Sequence, residues 1–259
     1  MWRAGVAVLI LAAAPAAAAA ATPEIFIAPT GALTHGAPVL LRIGSGDFPT
    51  QDHGVRPGQV AQVRARAAGT RLAATLPANP ASPTVTLEWP ETIRPHQNGV
   101  VAAVDLGPAL IEIEANQIDA WLNEIGAAPD VAATVRAVVA REGRLSVTET
   151  RHLKLMSCVA ACDGLAPERP SSSRLEFVAS DEAWRLLEDG QPRIAHAVFV
   201  TTAAQGRRRL TTDRHGRVLL PADTTGPVLL SAVVLIPPTT PDGRFNSERA
   251  VLTIDASVR

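Results

Sequence analysis

The amino-acid sequence predicts a mainly-β fold: two antiparallel β-sandwich domains joined by a short α-helical connector. Three observations carry this. Short apolar, β-branched runs alternate with polar residues at a period of two, as strands with one wet face do. Gly, Pro, Asp and Asn punctuate these runs roughly every ten residues, the spacing of strands in a sandwich. Only between residues 114 and 142 does the apolar period lengthen to that of a helix.

Taken in order, Met1-Trp-Arg3 supplies one positive charge, Val6 to Leu11 an apolar run, and Ala12 to Ala21 a run of small residues. Charge, apolar core and a small-residue cleavage site in that order predict a secretory signal peptide over residues 1–21. The apolar part is too short for a membrane anchor, so no transmembrane span is expected after cleavage. Export places the mature chain in the periplasm.

Glu24 to Ile27, Val39 to Ile43, Val60 to Arg66, Arg71 to Leu76, Thr84 to Trp89 and Gly99 to Asp105 read as strands. The first sandwich is therefore expected over residues 22–106. Asn98-Gly99 marks a tight turn within it.

The connector follows over residues 107–165. Ile118, Trp121, Leu122 and Ile125 recur at i, i+3, i+4 and i+7, one face of a helix from Glu114 to Gly126. Asn116 is the expected cap at its start and Gly126 at its end. A second helix is expected from Asp130 to Glu142, stopped by Gly143. The exposed-stripe alternative, a partner-binding face, is less natural than packing against a sandwich. Leu145 to Met156 carries both a capping-box pattern and a strand-like alternation, and the local signals do not decide between them.

The second sandwich is expected over residues 166–259, after a Pro- and Ser-rich linker. Its strands read as Arg174 to Val178, Ile194 to Thr202, Val218 to Pro221, Gly226 to Ile236 and Ala250 to Asp255. Arg207-Arg-Arg209 reads as a solvated hairpin tip.

Composition narrows the function. The chain has 259 residues and a net charge of -1, so no electrostatic footprint for nucleic acid exists. Aromatics are 3% and Tyr is absent, which disfavours a stacking platform for bases or sugars. No Gly-x-Ser-x-Gly, phosphate-cradling Gly loop or His-Glu-x-x-His occurs, and an enzyme is not expected. The metal candidates are the loop histidines His35, His53 and His96, which could converge at one end of the first sandwich. Cys158 and Cys162, four apart, are a disulfide candidate in an oxidising compartment. The metal reading of Cys-x-x-x-Cys lacks a second ligand pair at finger-like spacing.

Some segments carry a family resemblance. Glu24-Ile-Phe-Ile-Ala-Pro29, Gly36 to Arg42, Gly46-Asp-Phe48 and Ile111 to Gly126 resemble the opening strands and connecting helix of the exported "domain of unknown function 4198" family. Leu187 to Pro192, Thr212-Asp-Arg-His-Gly216 and Pro227 to Ala232 resemble its C-terminal module. That module is similar to carboxypeptidase-regulatory and transthyretin-like sandwiches, with an immunoglobulin-like architecture. There Thr-Asp-x-x-Gly makes a hairpin turn in which Asp bonds its own backbone and Gly takes a positive φ. The resemblance implies a periplasmic accessory protein of nickel or cobalt uptake, with a membrane metal transporter as partner. Metal-linked members tend to carry a His where this chain has Pro23, so the N-terminal chelate is not carried over. The expected function is thus non-enzymatic binding in the periplasm. The alternative is a structural or adhesive module of the cell envelope.

Overall fold

A computed structural model describes residues 24–34, 36–67, 69–76, 84–88, 99–158, 171–180, 183–240 and 243–254. The mainly-β class holds. Around one large sheet are laid two smaller sheets and a pair of helices.

The large sheet has eight strands. These are β4 (Val60–Ala67), β5 (Thr70–Arg71), β8 (Gly99–Glu114), β9 (Arg144–Cys158), β13 (Ala197–Thr202), β14 (Gly206–Thr211), β16 (Val228–Ile236) and β17 (Phe245–Ile254), in the order β14-β13-β16-β17-β9-β8-β4-β5. A first small sheet contains β1 (Glu24–Pro29), β2 (Val39–Gly46), β3 (His53–Gly54), β6 (Ala73–Thr75) and β7 (Thr84–Glu88). A second contains β10 (Leu175–Ser180), β11 (Ala183–Glu188), β12 (Gln191–Pro192) and β15 (Arg217–Val218). The helices are α1 (Ile118–Ile125) and α2 (Pro129–Glu142).

The pleat sorts the large sheet's side chains to two faces. On β9, Leu153 and Leu155 pack with Phe26, Leu41, Ile43 and Leu87 of the first small sheet. Leu145 and Val147 share their parity and pack under the helices with Leu122, Ile125 and Val135. Met156 has the other parity and packs with Phe177, Trp184 and Leu186 of the second small sheet. So the first small sheet and the helices cover one face side by side, and the second small sheet covers the other.

Several elements depart from the sequence expectation. The undecided segment is β9, a central strand. β8 spans Gly99 to Glu114 as one strand, with a register shift between Leu106 and Ala109 at the expected boundary. The pairing is not antiparallel throughout: β17 lies parallel to β9, Phe245 beside Val147 and Ile254 beside Met156. The arginine run Arg207–Arg209 is not a hairpin tip but the body of β14, because its neighbour β13 supplies the ladder. Asn116 does not cap α1. It lies in a 3-10 turn (Ala115–Gln117), and the cap residue, Gln117, makes no side-chain bond.

Both helix ends behave as read. Gly126 and Gly143 take left-handed conformations, φ 65° and 76°, as glycine allows. Gly126 also lets the end of α1 approach the sheet, since a Cβ there would lie 2.4 Å from the Cβ of Ala197. The Arg207 guanidinium donates to Glu124 O at 2.9 Å, satisfying a carbonyl of that last turn, and lies 4.1 Å over the Phe199 ring.

The turn between β14 and β15 has the expected Asp and Gly geometry but is not a hairpin, since the two strands lie in different sheets. His215 and Arg217 donate their backbone N–H groups to Asp213 Oδ1, at 2.7 and 2.9 Å. Gly216 has φ 71°, and a Cβ on it would meet Pro192 Cβ at 2.9 Å. No described helix is long and apolar enough to cross a membrane.

Candidate functional site

The chain's buried charged side chains gather on both faces of β9. His152 is the centre of the first cluster. Its Nδ1 lies 2.8 Å from Asp105 Oδ1 on β8, and its Nε2 lies 2.9 Å from Glu248 Oε2 on β17. Strand register explains this: Asp105 is directly opposite His152, and Glu248 lies two residues from the residue paired with it, Ala250. Burial favours the neutral imidazole, yet the two carboxylates outweigh it and raise the His152 pKa to about 9. His152 is therefore an imidazolium at neutral pH.

The cluster extends outward. Arg64 donates to Asp105 Oδ2 at 2.6 Å and to Ser173 Oγ at 2.7 Å. Ser173 Oγ in turn donates to Asp105 Oδ1 at 3.0 Å. Arg174 reaches Glu248 Oε1 at 3.2 Å. Beside it, Lys154 Nζ donates to Glu176 Oε2 at 2.8 Å and Phe177 O at 2.7 Å. The backbone N–H groups of Ser171 and Ser172 and the Ser171 hydroxyl also donate to the Glu176 carboxylate. Ser172 has φ 69°, which helps turn these N–H groups inward as an anion nest. Burial would raise the Glu176 pKa, but Lys154 and these donors hold it below the usual carboxylate range.

A shallow surface crevice lies here between Lys154, Ser171 and Glu176, with no enclosed room even for a water molecule.

The second cluster lies on the opposite face, where the first small sheet meets the helices. Arg249 on β17 donates to Glu149 Oε2 at 3.1 Å and to both Glu24 oxygens at 3.1 and 3.2 Å. Arg151 donates to the other Glu149 oxygen. Glu149 is 2% exposed, and its pKa would rise by burial were it not held down by Arg249 and Arg151. Glu24 on the first strand is thereby tied to the last strand.

This chemistry is that of closed ion networks. A nucleophile–base relay needs a hydroxyl bonded to an imidazole that a third group orients. Here the Ser173 hydroxyl faces Asp105, and each His152 nitrogen faces a carboxylate. The protonated ring has no lone pair for a metal or a substrate proton. His196 is the opposite case: burial and Arg193 lower its pKa to about 4, and its Nε2 lies 3.1 Å from Val233 O.

Of the residues singled out in the sequence, His53 stands exposed on β3, opposite Ser45. His35 and His96 lie outside the described residues. Among the described residues no group of three or more His, Cys, Asp or Glu could hold a metal ion. Cys158 ends β9 and is disulfide-bonded; Cys162 lies outside the described residues. Sequence reasoning passed over Asp105, His152, Lys154, Glu176 and Glu248. The one local signal was a His and a Lys inside an otherwise apolar alternation. The chain matches no family model, no curated protein and no solved structure.

Proposed function

We propose that this chain is an exported, non-enzymatic binding or accessory protein of the periplasm, built as two β-sandwich units that share the eight-stranded sheet. The observation that carries the reading is the pairing of its buried charges. Asp105, His152 and Glu248 are bonded within the large sheet, Lys154 bonds Glu176 of the second small sheet, and Arg249 bonds Glu149 within the large sheet and Glu24 of the first small sheet. Such an arrangement suits a rigid body that presents its surface to a partner. The N-terminal charge, apolar core and small-residue order supports export.

The link to nickel or cobalt uptake, with a membrane metal transporter as partner, rests on the family resemblance. Titration of the purified chain with Ni, Co, Cu and Zn tests it. Binding of Ni or Co tighter than an isolated surface histidine supports the link, and its loss in His53→Ala would place the site. Binding no tighter than that removes the metal from the reading.

The second reading is a structural or adhesive module of the cell envelope. The Arg249 bridge between β1 and β17 favours it, since it ties the first small sheet to the large one. Cross-linked partners separate the two readings: a transporter subunit supports the first, envelope polymer or other surface proteins the second.

A further inference from the structure

The large sheet ends differently on its two sides. On one side the chain of β5 passes through Leu72 directly into β6 of the first small sheet. On the other side, among the described residues, β14 is the outermost strand and pairs only with β13.

The backbone of β14 faces two ways. Thr212, just beyond it, donates its N–H to His196 O and accepts from Ala195 N–H, so its polar groups point toward β13. In an antiparallel ladder this alternates along the strand. Leu210 and Arg208 therefore point inward, while Arg207, Arg209 and Thr211 present N–H and C=O groups outward. Their side chains share one face. Arg207 is engaged by Glu124 and Phe199. Arg209 is exposed. The positive charge of Arg193 and Arg209 extends to His196. On the other face Arg208 reaches Asp223 at 3.5 Å, with its side chain 45% exposed.

We infer that β14 is a docking edge for an acidic, extended segment of another protein, which adds a ninth strand and sets carboxylates beside Arg209. Backbone pairing supplies the attraction common to strand addition, and charge supplies the selectivity. A second copy of this chain is the wrong occupant. Antiparallel pairing of two β14 strands would bring arginine rows together, and like charges directly opposite are destabilising. The inference does not depend on the metal link or on export.

Arginine on an edge is also a known guard against pairing, and the experiment separates the two roles. The purified chain is titrated with a synthetic peptide in which Glu and Val alternate, and amide exchange is followed by NMR. The expected result is saturable binding with new protection at the N–H groups of Arg207, Arg209 and Thr211. Arg209→Glu should weaken it by roughly tenfold or more, and higher salt should weaken it further. A peptide N-methylated on alternate amides should not bind, which keeps the test independent of any folding defect in the variant. A Lys-Val peptide binding equally well, or no protection at β14, overturns the inference and leaves the arginines as an edge guard. Anionic vesicles or heparin competing as strongly as the peptide also overturn it, because charge alone would then explain binding.

Discussion

His152 is flanked by Asp105 and Glu248 at hydrogen-bonding distance from both ring nitrogens, and this sets a pH dependence. Its pKa is about 9 in the folded chain against an ordinary 6.5. The folded state therefore holds the proton more tightly than the unfolded state, and the stabilisation is complete below pH 6.5. It is lost as pH rises from 6.5 to about 9. Urea unfolding across that range should show falling stability, and His152→Gln should flatten this alkaline slope. An unchanged slope in the variant would assign the pH dependence elsewhere. At acid pH the signs reverse. Asp105, Glu149 and Glu176 have lowered pKa values, so their stabilisation exists above the ordinary carboxylate range and fades as pH falls through it. His196, lowered to about 4, adds a penalty as pH drops below 6.5.

Single residues also explain what could be read in advance. Gly126, Gly143, Asp213 and Gly216 were legible because their chemistry is local: a left-handed cap or an Asx turn needs only a few neighbours in sequence. His152 and Lys154 were not, because their partners lie far along the chain. Asp105 is 47 residues from His152, Glu248 is 96, and Glu176 is 22 from Lys154. A buried charge looks like a surface residue until its counter-charge is known.

At the scale of elements the same distinction recurs. The two helices and strands such as β4, β7 and β16 followed from periodicity. β9 remained ambiguous because Ser146 to Glu149 carries a capping-box pattern while Leu153-Lys-Leu155 alternates like a strand, and β14 reads as a hairpin tip because three consecutive arginines look solvent-exposed. Both are strands because a neighbouring strand completes their ladders.

The junction of α1 with β13 offers a test of element packing. Gly126→Ala should destabilise by about 2–4 kcal/mol, combining left-handed strain with overlap on Ala197. Gly143→Ala has the same backbone constraint but open space around its new Cβ. It should cost about 1 kcal/mol, from strain alone. Equal losses on denaturant unfolding would mean that the close approach of α1 to β13 carries no weight.

For the whole molecule, the governing fact is a continuous sheet with both faces covered. β8 and β9 run past the first small sheet and continue beneath the helices, and β9 and β17 also contribute to the core under the second small sheet. No core can lose order without exposing strands that the others need. We therefore expect one cooperative calorimetric transition, with equal calorimetric and van't Hoff enthalpies. Two resolved transitions would show that the halves fold separately despite the shared strands.

β17 has a further consequence through its place between β9 and β16. The final described strand is an interior stave, flanked on both sides by segments made earlier. An elongating polypeptide must leave that slot vacant until Phe245–Ile254 has been made. Arg249, the counter-ion of Glu24 and Glu149, arrives with the same late segment. Before that segment is made the chain therefore carries a gap at its centre, with Glu24 lacking Arg249 and Glu149 holding only Arg151, and both are resolved in one closing event.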